Sequence, residues 1–211
     1  MKLNFVANVY NGLEAKKYKF NPAPEDKFIW IARIDEVKGV YNAILAAEKL
    51  GARLDIAGRL DKAQLEFFNT KIKPRLNEKI RYVGEINQKQ KPGFFGNARA
   101  LLYPIEWEEP FGLVMTEAMA CGTPVIVSRV SSLPEICGDA ATYIENPYDV
   151  KSIKTALEEG LKSNKIKLGL VRFKLDEIKD LKIVKSIKKI LIIFGIILAV
   201  GLVAIILINN N

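Results

Sequence analysis

Between residues 28 and 161 the chain alternates short apolar runs with helical patterns, and this alternation restricts the fold more than any other feature. FIWIAR at 28–33 is followed by VYNAILAAEKL at 40–50 and ARLDIAG at 52–58, which together read as a βαβ unit. The alternation continues through KIRYVGEI at 79–86, ARALLYP at 98–104, a helix from about Gly112 to Cys121, TPVIVS at 123–128 and ATYIE at 141–145. A last helix runs from about Val150 to Leu161. About six parallel strands joined by crossover helices predict a doubly wound α/β domain over 27–160. Residues 1–26, with Asn11-Gly12, Pro22 and Pro24 and no sustained period, read as a linker entering it. Ligands of such sheets bind beyond the C-terminal ends of the strands, and the neighbourhoods of Arg33, Gly58, Gly84 and Glu109 all fall there.

One of these neighbourhoods carries chemistry of its own. EPFGLVMTE at 109–117 sets two carboxylates, Glu109 and Glu117, eight residues apart around a Phe-Gly turn that opens an apolar helix. Amides near Gly112 would face an anion from the helix N-terminus, where the helix dipole also favours negative charge. The carboxylates would then accept from hydroxyls, and a nucleoside diphosphate sugar is anionic in the middle and hydroxyl-rich on both sides. The same residues would also serve a surface loop whose acids favour the helix start. Arg33 and Lys38 in IARIDEVKG lie just past the first strand, where two cations can reach a phosphate pair.

Composition removes other classes. With no histidine in 211 residues, His-based triads and metal sites are excluded, and Cys121 and Cys137 are neither spaced as a metal knuckle nor numerous enough for a disulfide framework. Cys121 closes an apolar helical run and reads as a small buried hydrophobe. The formal charge is +8, but ten basic and three acidic residues lie between 161 and 190, and the first 160 residues are nearly neutral. The domain therefore lacks the basic stripe of a nucleic-acid groove. The N-terminal MKLNFVANVY has no long apolar core of a signal peptide.

The tail differs from the rest. Ile190 to Ile208 is uncharged, apolar or glycine throughout, and as a helix it would span about 28 Å, close to one bilayer core. It reads as a transmembrane helix, with a buried hairpin or an out-of-frame tail as the alternatives. Lys188 and Lys189 on its N-terminal side would set the domain on the cytoplasmic face of a membrane. Phe173, Ile178, Leu181, Val184 and Ile187 recur among lysines in 161–189, as in a basic amphipathic juxtamembrane segment or a solvated spacer.

ARIDEVKG at 32–39, LDIAG at 54–58, YVGEI at 82–86, LLYPIEWEEPFGLVMTEAMACGTPVIV at 101–127 and SSLPEICGDAATYIENPYD at 131–149 together resemble the donor half of a family-4 glycosyltransferase of GT-B fold. The resemblance covers roughly residues 8–160 and implies a single Rossmann-like donor domain. It implies that Glu109 contacts hydroxyls of the transferred sugar and Glu117 the ribose. Phe111, Gly112, Leu113 and Val114 would present backbone groups to sugar and phosphates. Arg33 and Lys38 would neutralise the diphosphate leaving group, which is electrostatic stabilisation of charge developing in the transition state. Gly58 belongs to the same donor site, and Tyr82, Val83 and Gly84 would lie near the base. The family retains anomeric configuration and generally needs no metal or other cofactor, and the sequence offers no Asp-x-Asp pair for one. The two glutamates are thus not read as a glycosidase acid and nucleophile.

Family members pair this half with an N-terminal acceptor-binding domain, and VYNGLEAKKYKFNPAPEDKFIWIARID resembles the linker between the two. The expectation is a donor domain that binds a nucleoside diphosphate sugar and transfers the sugar with an acceptor domain supplied in trans. A membrane-tethered, non-catalytic binding module and a truncated gene product are the alternatives.

Overall fold

The computed structural model of the chain describes residues 11–162. The expected transmembrane helix at 190–208, and all but the first two residues of the expected amphipathic segment at 161–189, lie outside them. Among the described residues no helix is long and apolar enough to cross a membrane.

Six strands form one parallel sheet: β1 (Glu25–Ile31), β2 (Leu54–Ala57), β3 (Ile80–Gly84), β4 (Ala98–Tyr103), β5 (Val125–Ser128) and β6 (Ala141–Ile144). Their order is β3-β2-β1-β4-β5-β6, and each neighbouring pair is parallel. This is the doubly wound arrangement that the alternation predicts. Parallel strands covered on both faces read as continuous apolar runs, and Phe28, Ile29, Trp30 and Ile31 are all buried, as are Leu54, Ile56, Leu101, Leu102, Val125 and Ile126.

The helices are α1 (Val40–Leu50), α2 (Leu65–Phe67), α3 (Lys91–Gly96), α4 (Leu113–Ala120), α5 (Leu133–Cys137) and α6 (Val150–Lys162). α2 runs on as a wider π turn over Phe68–Ile72, which buries Phe68 and Ile72. The chain moves outward from β1 to β2 in one direction and from β4 to β5 in the other. Right-handed crossovers then place α1 and α4 on opposite faces of the sheet. Contacts agree: α1 packs with α6, and α3 packs with α4. Glycines bound α1 at both ends, Gly39 and Gly51, each in the left-handed region.

One buried charge sits within the sheet. Asp55 of β2 is 4% exposed and accepts from Arg81 on β3, Nε to Oδ1 and Nη2 to Oδ2, both at 2.8 Å. Lys27 of β1 adds an ion pair at 3.3 Å. Burial alone would raise the Asp55 pKa, but the hydrogen bonds and charges of Arg81 and Lys27 outweigh it and hold the carboxyl below its ordinary value. A depressed folded-state pKa adds stability that is complete above the unfolded value, about 4, and is lost as pH falls through the folded one. Asp55→Asn is therefore expected to lower stability by about 2–3 kcal/mol at neutral pH, with a deficit that shrinks below about pH 4. Urea unfolding of both proteins at pH 7 and pH 3 measures this, and a deficit constant across that range would contradict it.

Candidate functional site

The strand order reverses between β1 and β4, and the loops leaving these two strands lie side by side at this switch point. The β1 loop, residues 32–39, is held from below by Trp30, fully buried, whose indole N–H donates to the Lys38 carbonyl at 3.2 Å. The two loops then meet at backbone level. Gly39 has φ +72°, and a Cβ there would stand 1.8 Å from the Pro104 carbonyl oxygen. Beside this contact the Glu106 amide donates to the Val37 carbonyl at 3.0 Å. Across the same seam Lys38 Nζ pairs with Glu109 Oε2 at 2.8 Å, both side chains being mostly buried. Trp107, half exposed, presents its ring 5.4 Å from the same ammonium.

The Glu109 loop is braced from the β5 side as well. Ser131 and Ser132 donate their hydroxyls to the Glu109 carbonyl at 3.0 and 2.7 Å. Ser131 does so from φ +49°, the one non-glycine in the left-handed region among the described residues. The chain then turns at Gly112, φ +78° and ψ 64°, into α4. Gly112 has no side chain to cap this helix, so the first-turn amides of Leu113 and Val114 are left for other acceptors. A side chain at 112 would also collide with Met115, whose Cε lies 2.0 Å from the Cβ position. Phe111 is buried beneath this turn while Leu113 is exposed.

The residues expected from sequence thus separate into groups. Lys38 and Glu109 meet directly. Arg33 sits in the same loop but is half exposed and pairs with Asp35 at 3.0 Å. Gly58 and Val83 lie at the ends of β2 and β3. Gly58 has φ +155°, and a Cβ on it would reach within 1.7 Å of the Ala32 carbonyl oxygen. Its own carbonyl accepts the Tyr82 hydroxyl at 2.7 Å. Val83 exposes its side chain beside it.

Glu117 does not join the Lys38 pair. It is 4% exposed on the second turn of α4, where it accepts from Tyr18 and Lys91. Sequence reading missed both of these residues, as it missed Trp107, Ser131 and Ser132. Tyr18 and Lys91 approach from 99 and 26 residues away, and no local pattern marks such partners.

Burial governs both thiols. It pushes the Cys121 thiol up to about 11, with Glu117 adding to the effect, and the Cys137 thiol up to about 12, so both are inert buried hydrophobes at neutral pH. Burial, then the Glu109 charge, raises the Tyr103 phenol. The described residues contain no cluster of three or more acidic, Cys or His side chains able to hold a metal ion.

A topological switch point with the Lys38–Glu109 pair, Arg33 on the same loop and an uncapped helix start is where an α/β domain of this kind takes a ligand. Residues 14–171 match the model of the glycosyl transferases group 1 family, and the chain belongs to that family. A glycogen synthase of Mycobacterium tuberculosis is 30% identical over 166 residues, 72% of this chain and 39% of that protein. A sucrose-phosphate synthase of Thermosynechococcus elongatus superposes with a TM-score of 0.63 at 26% identity, over 72% of this chain and 42% of that one. The Anabaena protein HepE, solved in complex with UDP and glucose, shares the fold with a TM-score of 0.66 at 17% identity, over 76% and 48%. The chain spans less than half of each of these proteins.

Gly39 is the position where the two loops depend on the absence of a side chain. Gly39→Ala is expected to cost about 2–4 kcal/mol, from left-handed strain and the clash with Pro104. Gly93→Ala, inside α3 with nothing within 4 Å of the new Cβ, should be neutral or stabilising by up to about 1 kcal/mol. Chemical denaturation of the two variants measures the difference, and equal stabilities would show that the loops do not meet as described.

Proposed function

We propose that this domain is the donor half of a retaining, family-4 type hexosyltransferase, and that it binds a nucleoside diphosphate sugar in the crevice between the β1 and β4 loops. The observation that carries the reading is the Lys38–Glu109 pair beside the uncapped start of α4. An ammonium has three donors and the pair with Glu109 uses one, so the others are available to a diphosphate. Arg33 adds a second cation on the same loop, and the amides at the start of α4 add the positive end of a helix dipole.

In this reading Glu109 accepts from hydroxyls of the transferred sugar and Glu117 from the ribose. The Phe111–Val114 turn lies along the sugar and phosphates, and Gly58 and Val83 lie towards the base. As the bond from the anomeric carbon to the diphosphate breaks, negative charge gathers on the departing phosphate oxygen. Lys38, held by Glu109, and Arg33, paired with Asp35 on the same loop, would turn to it and stabilise that charge. The acceptor hydroxyl enters on the same face and gives up its proton as the new bond forms. Its positioning is assigned to an acceptor-binding domain acting in trans. The apolar run at 190–208, with Lys188 and Lys189 before it, supports anchoring at the cytoplasmic face of a membrane.

UDP is the first probe, because HepE was solved with it, with GDP and ADP beside it. Titration calorimetry of the full chain in detergent micelles is expected to show saturable binding of one of these. Lys38→Ala should weaken it by about ten- to a hundredfold, the loss of a charge-assisted hydrogen bond, and Gly93→Ala should leave it unchanged. Absence of binding by all three nucleotides would contradict the proposal.

A further inference from the structure

The Glu117 carboxylate is more tightly held than a hydroxyl acceptor needs to be. Its Oε1 accepts the Tyr18 hydroxyl at 2.7 Å and the Lys91 ammonium at 3.0 Å, and Oε2 accepts the same ammonium at 2.9 Å. The Lys91 side chain is itself mostly buried. A carboxylate so removed from water is costly unless a charge and hydrogen bonds compensate it, and Lys91 supplies both. A carboxylate offers about four lone-pair sites. Among the described residues three are filled, which leaves one, on Oε2.

Tyr18 brings a second element into this contact. It belongs to the stretch that precedes the first strand, just after a single 3-10 turn at Ala15–Lys17. That stretch is fastened on the domain at separate points. The Phe20 ring lies over Gly122, where a Cβ would come within 2.3 Å of it. The Lys19 carbonyl passes Gly96, and the Asn21 side-chain amide donates to Asn97 Oδ1 at 3.0 Å. Burial first, and then the hydrogen bond and charge of Glu117, push the Tyr18 phenol well above its ordinary value, so it remains a donor throughout the physiological range. The stretch entering the sheet is therefore tied by one hydroxyl to a carboxylate on α4.

We propose that Lys91 and Tyr18 are positioning residues that orient the Glu117 carboxylate from two sides, so that it meets the hydroxyls of the nucleotide ribose. The proposal rests on the reading of Glu117 as the ribose contact. Lys91 balances the charge and fixes the plane of the carboxylate. Tyr18 fixes its rotation and makes ribose recognition depend on the seating of the stretch before β1.

The test compares ribose discrimination across variants of the full chain in detergent micelles. The ligands are whichever of UDP, GDP and ADP binds, with its 2′-deoxy and 3′-deoxy forms, and affinities are read by calorimetry. The wild-type chain is expected to bind at least one deoxy form about tenfold more weakly than the parent. In Lys91→Met and in Tyr18→Phe that tenfold ratio should fall to within about threefold, while the affinity for the discriminated deoxy form itself changes little. Lys91→Arg should restore the ratio in part.

A residue that merely stabilised the domain would lower all affinities together and leave the ratio intact, and that result would overturn the role of the residue tested. Tyr18→Phe keeps the ring and removes one hydroxyl, so it carries the test even where Lys91→Met destabilises the chain. Equal binding of the parent and both deoxy forms by the wild-type chain would overturn the ribose reading of Glu117 and this proposal with it. Binding of the parent nucleotide in that same experiment would leave the donor reading of the crevice standing.

Discussion

The backbone contact between the β1 and β4 loops is the constraint on which the rest of the site depends. Gly39 must approach the Pro104 carbonyl more closely than any side chain allows, and the Glu106 amide then closes on Val37. Once these backbones are locked, Lys38 and Glu109 have little choice but to meet, because each extends from a neighbouring position of the same seam. Trp30 secures the arrangement from the core side through the Lys38 carbonyl. The Lys38 and Glu109 charges are thus placed by main-chain contacts and a buried aromatic ring, a rigid support for the pair.

Electrostatic pairing is the second theme of the molecule. Asp55, Glu109 and Glu117 are all largely removed from water, and each has a cation against it: Arg81 and Lys27, Lys38, and Lys91. The roles differ with position. The Asp55 cluster joins three strands within the sheet, whereas the Glu109 and Glu117 pairs flank the start of α4. Ser131, strained in the left-handed region, and Ser132 hold the Glu109 carbonyl and leave its carboxylate to the crevice.

The sheet was legible in the sequence because its strands are buried on both faces. FIWI, LDIA and VIVS are nearly unbroken apolar runs bounded by Gly, Pro or charge, and a strand buried on two sides has to be written that way. Short helices were not legible. KPGFFG of α3 spans six residues with two glycines and a proline, too few for a 3.6-residue period, and its helicity comes from packing Phe95 into the core. The π turn at Phe68–Ile72 likewise follows from the burial of two side chains and not from propensity. Candidate residues from Glu109 to Glu117 could be picked out in the chain because they lie in one local motif. Tyr18 and Lys91 could not, since their link to Glu117 exists only after the sheet has brought three distant segments together. Family resemblance supplied what spacing alone left open between a capped helix and a ligand site.

The proposed ligand position is where the strand order reverses, against the start of α4. Amide hydrogen exchange of the full chain with and without its saturating nucleoside diphosphate sugar tests this directly. Added protection is expected in residues 32–39 and 112–116, with little change along β6 and α6. Protection confined to the β6 side of the sheet, or none at the start of α4, would contradict it.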